Sequence, residues 1–413
     1  MIQSVFGLFV MLMSVYLLSE DKKAIKFKTI GIALVIHMTL AVIFLKLPVF
    51  RDIFSSLNSV VLALQEATTA GTRFVFGYLA GDNFPFEITD HSATFILGFK
   101  ALPLILFISV LSSLLYYYRV LPLIVQFLSL LLHKSLNISG AVSIGVAANA
   151  FVGMVEAPLF IKPYLRSRTR GELFSIMTAG MATIAGTVMV LYANILSSQI
   201  PDAMGHILTA SLLNIFASLI ITMMLIPHNI NTQTTKIELP QLAHSPMDAI
   251  VRGTTDGIKL LVNIGAMLIV FVALVNLINQ CLAFLPEVYG QPVTLQAILG
   301  ILMAPVMFLI GIPMNEVFTA GSLMGTKVVL NELLAYLNLL NLPEDALQNR
   351  SRVIMLYAMC GFANMGSLGI MVGGMTAMAP EKREDIISLG MKSVLAGVLA
   401  TCLTATVVGM VIS

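Results

Sequence analysis

The sequence predicts an all-α polytopic membrane protein with eight transmembrane helices and two re-entrant hairpins, arranged as an inverted repeat with additional interfacial helices. Two properties of the whole chain and one local pattern indicate this class. Apolar residues make up 58% of the 413 residues and charged residues only 11%, whereas soluble globular proteins use roughly 45–50% apolar residues. The local pattern pairs helix-breaking residues with a carboxylate, and it occurs twice.

Eight apolar segments are long enough to cross a bilayer, which requires about 20 apolar residues in a helix. They are residues 2–19, 29–48, 96–118, 173–197, 206–226, 260–285, 353–378 and 386–412. The first segment lacks a basic region before it and a small-residue cleavage site, so we interpret it as a span and not as a signal peptide. Two further apolar regions, about 136–164 and 294–340, are too interrupted to be simple spans.

The distribution of Lys and Arg predicts the orientation, because cytoplasmic loops of membrane proteins carry an excess of both. The cationic loops contain Lys22, Lys23, Lys26 and Lys28 after the first span, Lys162, Arg166, Arg168 and Arg170 before the fourth, and Lys382, Arg383 and Lys392 at the eighth. The N-terminus and the C-terminus are therefore predicted to lie outside. Cytoplasmic and external loops alternate along the chain only if each of the two interrupted regions enters and leaves the membrane on the same side. Re-entrant hairpins that are enclosed by protein have this property.

Two less apolar segments connect the spans. Residues 50–93 are amphipathic and predict an interfacial position, and residues 227–259 predict a cytoplasmic linker between two halves. The three cysteines, Cys281, Cys360 and Cys402, lie far apart in apolar runs and predict neither a disulfide framework nor a metal site. The net charge of +2 gives no indication of a nucleic-acid partner.

The two halves share a short motif within an apolar segment. Residues 180–186 read GMATIAG and residues 361–367 read GFANMGS. Each motif follows an interrupted region in which a glycine precedes a glutamate. These pairs are Gly153 with Glu156 and Gly311 with Glu316. Small residues also form close helix-packing surfaces, but the recurring order favours the discontinuous helices of secondary transporters.

Glu156 and Glu316 are carboxylates in apolar surroundings. An unpaired carboxylate near the bilayer centre costs on the order of 3 kcal/mol, so both are predicted to face a cavity. Amides and hydroxyls accompany them at Asn149, Thr183, Asn315, Asn364 and Ser367. Because neither motif contains arginine, the set suits a neutral, hydroxyl-bearing solute. Amide, hydroxyl and freed carbonyl oxygens of broken helices also suit Na⁺.

Five pieces of the sequence resemble the concentrative nucleoside transporter family, in the same order and over essentially the whole chain. They are NAFVGMVEAPLFIKPYL, GMATIAG, GIPMNEVFTAG, NELLAY and CGFANMGSLGIMVGG. The resemblance implies an elevator-type transporter in a bacterial inner (plasma) membrane, with Na⁺ or H⁺ driving nucleoside uptake. It implies a homotrimer in the lipid bilayer, with sodium as the coupling ion and no other cofactor.

The resemblance also implies a domain division. The scaffold would consist of the first helices and the interfacial segment in residues 1–93, the third span in 94–120 and a further span in 260–285. The first half of the transport domain would be residues 121–226, with a hairpin at about 136–164 and a broken helix at about 173–197. After the linker at 227–259 and the scaffold span, the second half would be residues 294–413, with a hairpin at about 294–340, a broken helix at about 353–378 and a last span at 386–412.

Individual residues receive roles from the same resemblance. The implied substrate-binding residues are Gly153, Met154, Val155, Glu156, Val188, Glu316, Phe362, Asn364 and Ser367. Of these, Glu316, Asn364 and Ser367 would bind the ribose hydroxyls. The implied sodium ligands are Asn149, Val152, Thr183 and Ile184, with Val152 and Ile184 acting through backbone carbonyls.

The chain departs from the family pattern at the first hairpin tip, where the family has G-Q-T-E and this sequence has GMVE. Met154 and Val155 thus replace two hydrogen-bonding side chains that would read the nucleobase, which puts base selectivity in question. Met314 stands where the family usually has Trp. Thr183 replaces a Ser and keeps the hydroxyl.

Several alternatives stay open at this level. Asn149 and Thr183 could form helix-to-helix hydrogen bonds, and Phe362 could simply pack in the core. Coupling to protons could replace coupling to sodium, although a proton needs no oxygen cage. A membrane-embedded enzyme would use Glu156 and Glu316 as acid and base, but no nucleophile–histidine pair or metal cluster accompanies them.

Overall fold

The computed structural model describes residues 2–81, 84–87, 96–154, 156–197, 199–227, 243–287 and 292–412, without the side chain of Arg51. These ranges contain helices and connecting turns but no β-strand, which confirms the all-α class. The helices that precede the long polar connection are α1 (Ile2–Leu17), α2 (Phe27–Lys46), α3 (Pro48–Phe76), α4 (Leu97–Lys100), α5 (Leu104–Tyr117), α6 (Val120–Leu136), α7 (Gly140–Ala148), α8 (Glu156–Leu159), α9 (Lys162–Leu165), α10 (Arg170–Ala182), α11 (Gly186–Leu196) and α12 (Ala203–Leu225).

The remaining helices follow that connection. They are α13 (Pro246–Leu282), α14 (Leu295–Ile310), α15 (Val317–Val329), α16 (Glu332–Leu340), α17 (Asn349–Met359), α18 (Met365–Met378) and α19 (Arg383–Val411). Polar side chains cap several of them. Ser245 accepts a hydrogen bond from the Asp248 N–H at the start of α13, and Thr169 and Glu172 form a capping box at the start of α10. Such caps satisfy N–H groups that a helix leaves unpaired.

Six helical segments of the described chain are long and apolar enough to cross a membrane, so the chain is an integral membrane protein. They are Phe27–Lys46, Leu97–Tyr117, Arg170–Leu196, Ala203–Leu225, Pro246–Leu282 and Pro380–Val411. The other two predicted spans, 2–19 and 353–378, fall on α1, which has 16 residues, and on the interrupted pair α17 and α18. The eight-span count thus stays a prediction.

The order of elements in α5–α12 recurs in α13–α19. Each half has a helix, a second helix, a pair joined by a tight tip, a helix with a break, and a last helix. The two broken helices start at opposite ends of α1. Arg170 of α10 pairs with Glu20 after the end of α1 at 3.5 Å. Arg350 of α17 donates to the Gly311 carbonyl at 2.9 Å, and Gln3 of α1 donates to the next carbonyl at 2.9 Å.

The region 294–340 contains three helices joined by two turns, whereas a hairpin with a single tip was expected. A first turn at 311–316 joins α14 to α15, and a second at 330–331 joins α15 to α16. Gly311 ends α14 with φ +104°, which only glycine adopts readily. Asn331 begins α16 by accepting from the Leu334 N–H at 2.8 Å. The tip that corresponds to the first hairpin is therefore at 330–331.

The predicted linker 227–259 is partly helical. Residues 228–242 lie outside the described ranges, and α13 begins at Pro246, so the predicted span 260–285 starts well inside this helix. The Ser-Pro start with its capping serine explains the early beginning. The amphipathic segment 50–93 lies largely on α3, with residues 82–83 and 88–93 outside the described ranges.

The buried centre consists of α10, α12 and α19, which pack against one another. The apolar windows of these helices are mostly buried within the chain, whereas α13 is almost wholly exposed. The helix breaks between α10 and α11 and between α17 and α18 lie at this centre and are surrounded by protein.

Candidate functional site

The two helix breaks lie against each other at the centre of the fold. We call residues 183–185, between α10 and α11, the first break, and residues 360–364, between α17 and α18, the second break. The Phe362 N–H donates to the Thr183 carbonyl at 3.3 Å. A Cβ atom on Gly361 would lie only 2.7 Å from the Ala182 carbonyl oxygen. The motifs at 180–186 and 361–367 thus meet in space.

The first tip, residues 149–154 between α7 and α8, packs against the first break. Thr183 Oγ1 donates a hydrogen bond and lies 2.8 Å from both the Asn149 carbonyl and the Ala179 carbonyl. The Asn149 amide group donates to the Gly145 carbonyl at 2.9 Å. Its oxygen, Oδ1, is buried and has no hydrogen-bond partner in the described part of the chain. Such an oxygen is available to accept from an ordered water or to bind an ion.

Glycines allow this close approach. A Cβ atom on Gly180 would lie 2.9 Å from Met154 Cβ and 3.2 Å from Asn149 Oδ1. The Gly186 N–H donates to the Phe151 carbonyl at 2.8 Å, and a Cβ atom there would lie 2.7 Å from that oxygen. The glycines of GMATIAG therefore seat the first tip on α10 and α11.

Side-chain oxygens of Asn149 and Thr183 lie at the contact between the first tip and the first break. Backbone carbonyls that a helix break frees coordinate Na⁺ in secondary transporters, and side-chain amide and hydroxyl groups supply oxygen donors of a similar kind. Val152 is half-buried in the first tip, and Ile184 is buried within the first break. The described residues contain no cluster of three His, Cys, Asp or Glu side chains that could hold a metal ion.

A carboxylate to which the sequence analysis gave no role lies at the second break. Asn364 Nδ2 donates to Glu332 Oε2 at 2.8 Å, and the Tyr192 hydroxyl donates to Glu332 Oε1 at 2.6 Å. Asn364 Oδ1 accepts from the Ser367 N–H at 2.7 Å and so caps α18. Glu332 is only 4% exposed. It is the first residue after the second tip, and Glu156 is the second residue after the first tip.

The structure does not bring Glu316 to this cluster, which corrects the expected grouping of Glu316 with Asn364 and Ser367. Glu316 precedes α15 and Glu332 follows it, so the 13 residues of α15 separate them by about 20 Å at 1.5 Å per residue. Glu316 is buried at the turn 311–316, and its Oε2 atom has no hydrogen-bond partner among the described residues. Met314 in the same turn is exposed.

The other predicted site residues occupy varied positions. Glu156 is exposed, and its carboxylate lies against Gly153, where a Cβ atom would be 2.1 Å from Oε2. Val188 is buried on α11, and Phe362 is half-buried in the second break. Val155 lies outside the described residues.

Lys327 is a second buried charge that the sequence motifs missed. It lies on α15 with no exposed surface, and no hydrogen-bond partner of its Nζ atom occurs in the described ranges. The titratable groups close enough to act on its charge are Glu332, Cys360 and Cys402. An isolated charge in a protein interior is strongly unfavourable, and Glu332 is the carboxylate near enough to offset a charge on Lys327. In the sequence Lys327 is marked only as a charged residue in an apolar run, whereas Glu332 lies in NELLAY, one of the pieces that resemble the family.

Three protein-family descriptions match the chain. Residues 6–79 match the N-terminus of a Na⁺ dependent nucleoside transporter, residues 98–199 match a nucleoside recognition domain, and residues 206–409 match the C-terminus of a Na⁺ dependent nucleoside transporter.

Relatives and solved structures agree with these matches. The chain is 37% identical to an uncharacterized transporter of Bacillus subtilis over 96% of both chains, and 34% identical to a nucleoside permease of Helicobacter pylori over 99% of this chain and 97% of the permease. It is similar to the transporter CNTnw in an inward-facing substrate-bound state, with a TM-score of 0.90, 34% identity and coverage of 99% of this chain and 97% of that one. The broken helices, the two tips and these matches together show that this chain is a transporter of the concentrative nucleoside transporter family and not an enzyme.

Proposed function

We propose that the chain takes up nucleosides by secondary active transport, coupled to a sodium gradient through alternating access. The observation that carries this proposal is the Glu332–Asn364 pair at the second break. The second break touches the first break, where Thr183 bonds Asn149 of the first tip. A polar group for a hydroxylated solute and a cluster of oxygens for a small cation thus adjoin in a buried place.

Glu332 and Asn364 suit a ribose. An ionised carboxylate has about four acceptor sites, and Tyr192 and Asn364 occupy two of them. The remaining sites can accept hydrogen bonds from two neighbouring hydroxyls. Hydrogen bonds to a charged group contribute roughly 1.5–3 kcal/mol each. In this proposal Glu332 takes the role that the sequence gave to Glu316, with Ser367 nearby and Phe362 lining the pocket.

The first tip would close the base end of the pocket. Gly153, Met154, Val155 and Glu156 contribute there, with Val188 beneath the ring. Met154 is nearly buried against Gly180, so its side chain would offer an apolar wall and no hydrogen bond to the base.

Sodium would bind at the first break. The ligands would be Asn149 and Thr183 through side-chain oxygens and Val152 and Ile184 through carbonyls. The unpaired Asn149 Oδ1 atom supports this, as do family descriptions that name Na⁺ dependence. The competing proposal is proton coupling within the same family, which would leave this oxygen cluster without a purpose.

The transport cycle would follow the architecture. The opposite starts of α10 and α17 support an inverted repeat with two re-entrant hairpins, whose tips precede Glu156 and Glu332. The exposed apolar α13 supports a scaffold that assembles as a homotrimer. Movement of the hairpins and broken helices against it would be elevator-like, in a bacterial inner membrane with both termini outside.

Uptake into proteoliposomes tests the proposal. Vesicles loaded with potassium and diluted into sodium should accumulate radiolabelled uridine or adenosine above equilibrium, and vesicles diluted into choline should not. Unlabelled nucleoside preloaded inside should accelerate uptake, as a carrier requires. Accumulation that ignores sodium and follows a pH gradient would support proton coupling instead. No accumulation of any nucleoside under either gradient would contradict the transport proposal.

A further inference from the structure

One side chain joins the two breaks. Asn214 lies on α12 with no exposed surface. Its amide nitrogen donates to the Ala182 carbonyl and to the Cys360 carbonyl, both at 2.8 Å. Ala182 ends α10 and Cys360 opens the second break. A side-chain amide has two N–H donors, and both are used here on different helices.

These two carbonyls need a donor from elsewhere. The last carbonyls of a helix have no N–H partner within it, and Ala182 and Cys360 are both fully buried. The Asn214 amide therefore provides a hydrogen-bond donor to one carbonyl at the end of α10 and to one at the end of α17. Because the two bonds share one nitrogen, the ends of α10 and α17 stay at a fixed separation.

Each break connects directly to a different binding group. Thr183 follows Ala182 and bonds the first tip at Asn149. Asn364 lies four residues after Cys360 and bonds Glu332 at the second tip. A shift of either break thus moves one of the two binding groups relative to the other.

We infer that Asn214 is a positioning residue that couples the cation site at the first break to the nucleoside site at the second. This inference rests on the proposed function. Cation binding at Asn149 and Thr183 fixes the conformation of the first break. Through its bonds to Ala182 and Cys360, Asn214 then fixes the position of the second break and of Asn364. Coupling between two ligands is reciprocal, so the nucleoside also strengthens cation binding through the same side chain.

Nucleoside binding in two media tests this inference. The dissociation constant of uridine is measured by calorimetry on the purified protein in sodium chloride and in choline chloride. Coupling between sites typically changes affinity by about 5- to 150-fold, and we expect the parent to lie in that range. Asn214→Leu keeps the volume and removes both donors, so the factor should fall to about twofold or less.

The matched control is Ser218→Ala on the same helix. Ser218 is equally buried, and its hydroxyl bonds the Ile215 carbonyl within α12, so this variant should keep the parental factor. A folded Asn214→Leu protein with the parental factor would overturn the inference.

A second variant guards against misfolding of the first. Gly361→Ala places a Cβ atom 2.7 Å from the Ala182 carbonyl oxygen and should push the two breaks apart, with the same loss of coupling. The double variant should be no worse than either single one, because both disrupt one connection. Additive losses would overturn the inference.

The two proposals can fail separately. If sodium does not change the uridine affinity of the parent, sodium coupling is contradicted. The uridine affinities of the two single variants and the double variant, in one medium, then decide the role of Asn214. Weaker binding that is not additive supports the connection between the breaks, whereas unchanged or additive binding refutes it.

Discussion

Thr183 Oγ1 donates to the Asn149 carbonyl over 2.8 Å, and this bond joins the first break to the first tip. The same hydroxyl oxygen has lone pairs free to face a cation. Replacing Thr183 by Val keeps the shape and removes the hydroxyl. We expect a higher sodium concentration at half-maximal uptake with folding retained.

Thr178→Val is the matched control for this change. Thr178 lies on the same helix, fully buried, and its hydroxyl has no partner among the described residues. The sodium dependence of uridine uptake should be parental in this variant. An identical sodium dependence in Thr183→Val would contradict the assignment of the hydroxyl to the cation site.

Gly180 is expected to be intolerant of a side chain. The added Cβ of Gly180→Ala would lie 2.9 Å from Met154 Cβ and 3.2 Å from Asn149 Oδ1, so the first tip must move away from α10. Uptake should fall and sodium affinity should weaken together. Gly373→Ala, on α18 with no atom within 4 Å of the new Cβ, should leave both unchanged. Parental transport by Gly180→Ala would show that transport does not depend on the close contact between the first tip and Gly180.

Tyr192→Phe removes the hydroxyl that bonds Glu332 Oε1 at 2.6 Å. Leaving a buried acceptor without its donor costs about 1–3 kcal/mol, so the thermal stability should drop and uridine should bind more weakly. Tyr357→Phe is the comparison, since that buried hydroxyl bonds His206 at 3.0 Å. It should lose stability without a change in uridine affinity. Equal uridine affinities in both variants would count against Glu332 as a ligand.

Met154 predicts a permissive base pocket. An apolar wall discriminates by size and shape, typically by about 1–3 kcal/mol, whereas unpaired polar groups reject analogues far more strongly. Competition by adenosine, inosine, uridine and cytidine should therefore show a shallow spread. The double change Met154→Gln with Val155→Thr should widen it. A parent that discriminates by about a hundredfold or more, roughly 2.7 kcal/mol, would show that other residues read the base.

Sequence patterns predicted the helical class and the two breaks, whereas the grouping of Asn149 with Thr183 came from the family resemblance. The helical class and the breaks depend on local signals, namely long apolar runs and glycines that interrupt them. GMATIAG contains the whole first break, and GFANMGS contains the second break except Cys360, so neither break needed long-range information.

The position of the second tip was not predictable from the same signals. The stretch GIPMNE has a glycine, a proline and a glutamate, as does GMVEAP at the first hairpin, but it forms the turn between α14 and α15. The actual tip at Leu330 and Asn331 contains no glycine or proline, and the Asn331 cap alone marks it. Which glutamate meets Asn364 depends on how three helices fold back, and that is a property of packing.

The role of Asn214 was also hidden. Within α12 it reads as one polar residue in an apolar helix, and its two acceptors lie 32 and 146 residues away. Only the folded chain brings the ends of α10 and α17 to it.

The central claim is that Glu332, with Asn364, binds the ribose of the nucleoside. The most direct measurement is the uridine dissociation constant of Glu332→Gln beside that of Glu316→Gln, with 2′,3′-dideoxyuridine as a second ligand. Losing charge-assisted bonds of roughly 1.5–3 kcal/mol each should weaken uridine binding to Glu332→Gln by more than about tenfold. Glu316→Gln should bind uridine like the parent, and the parent should bind the dideoxy analogue poorly. Parental binding by Glu332→Gln, or a loss confined to Glu316→Gln, would contradict the account.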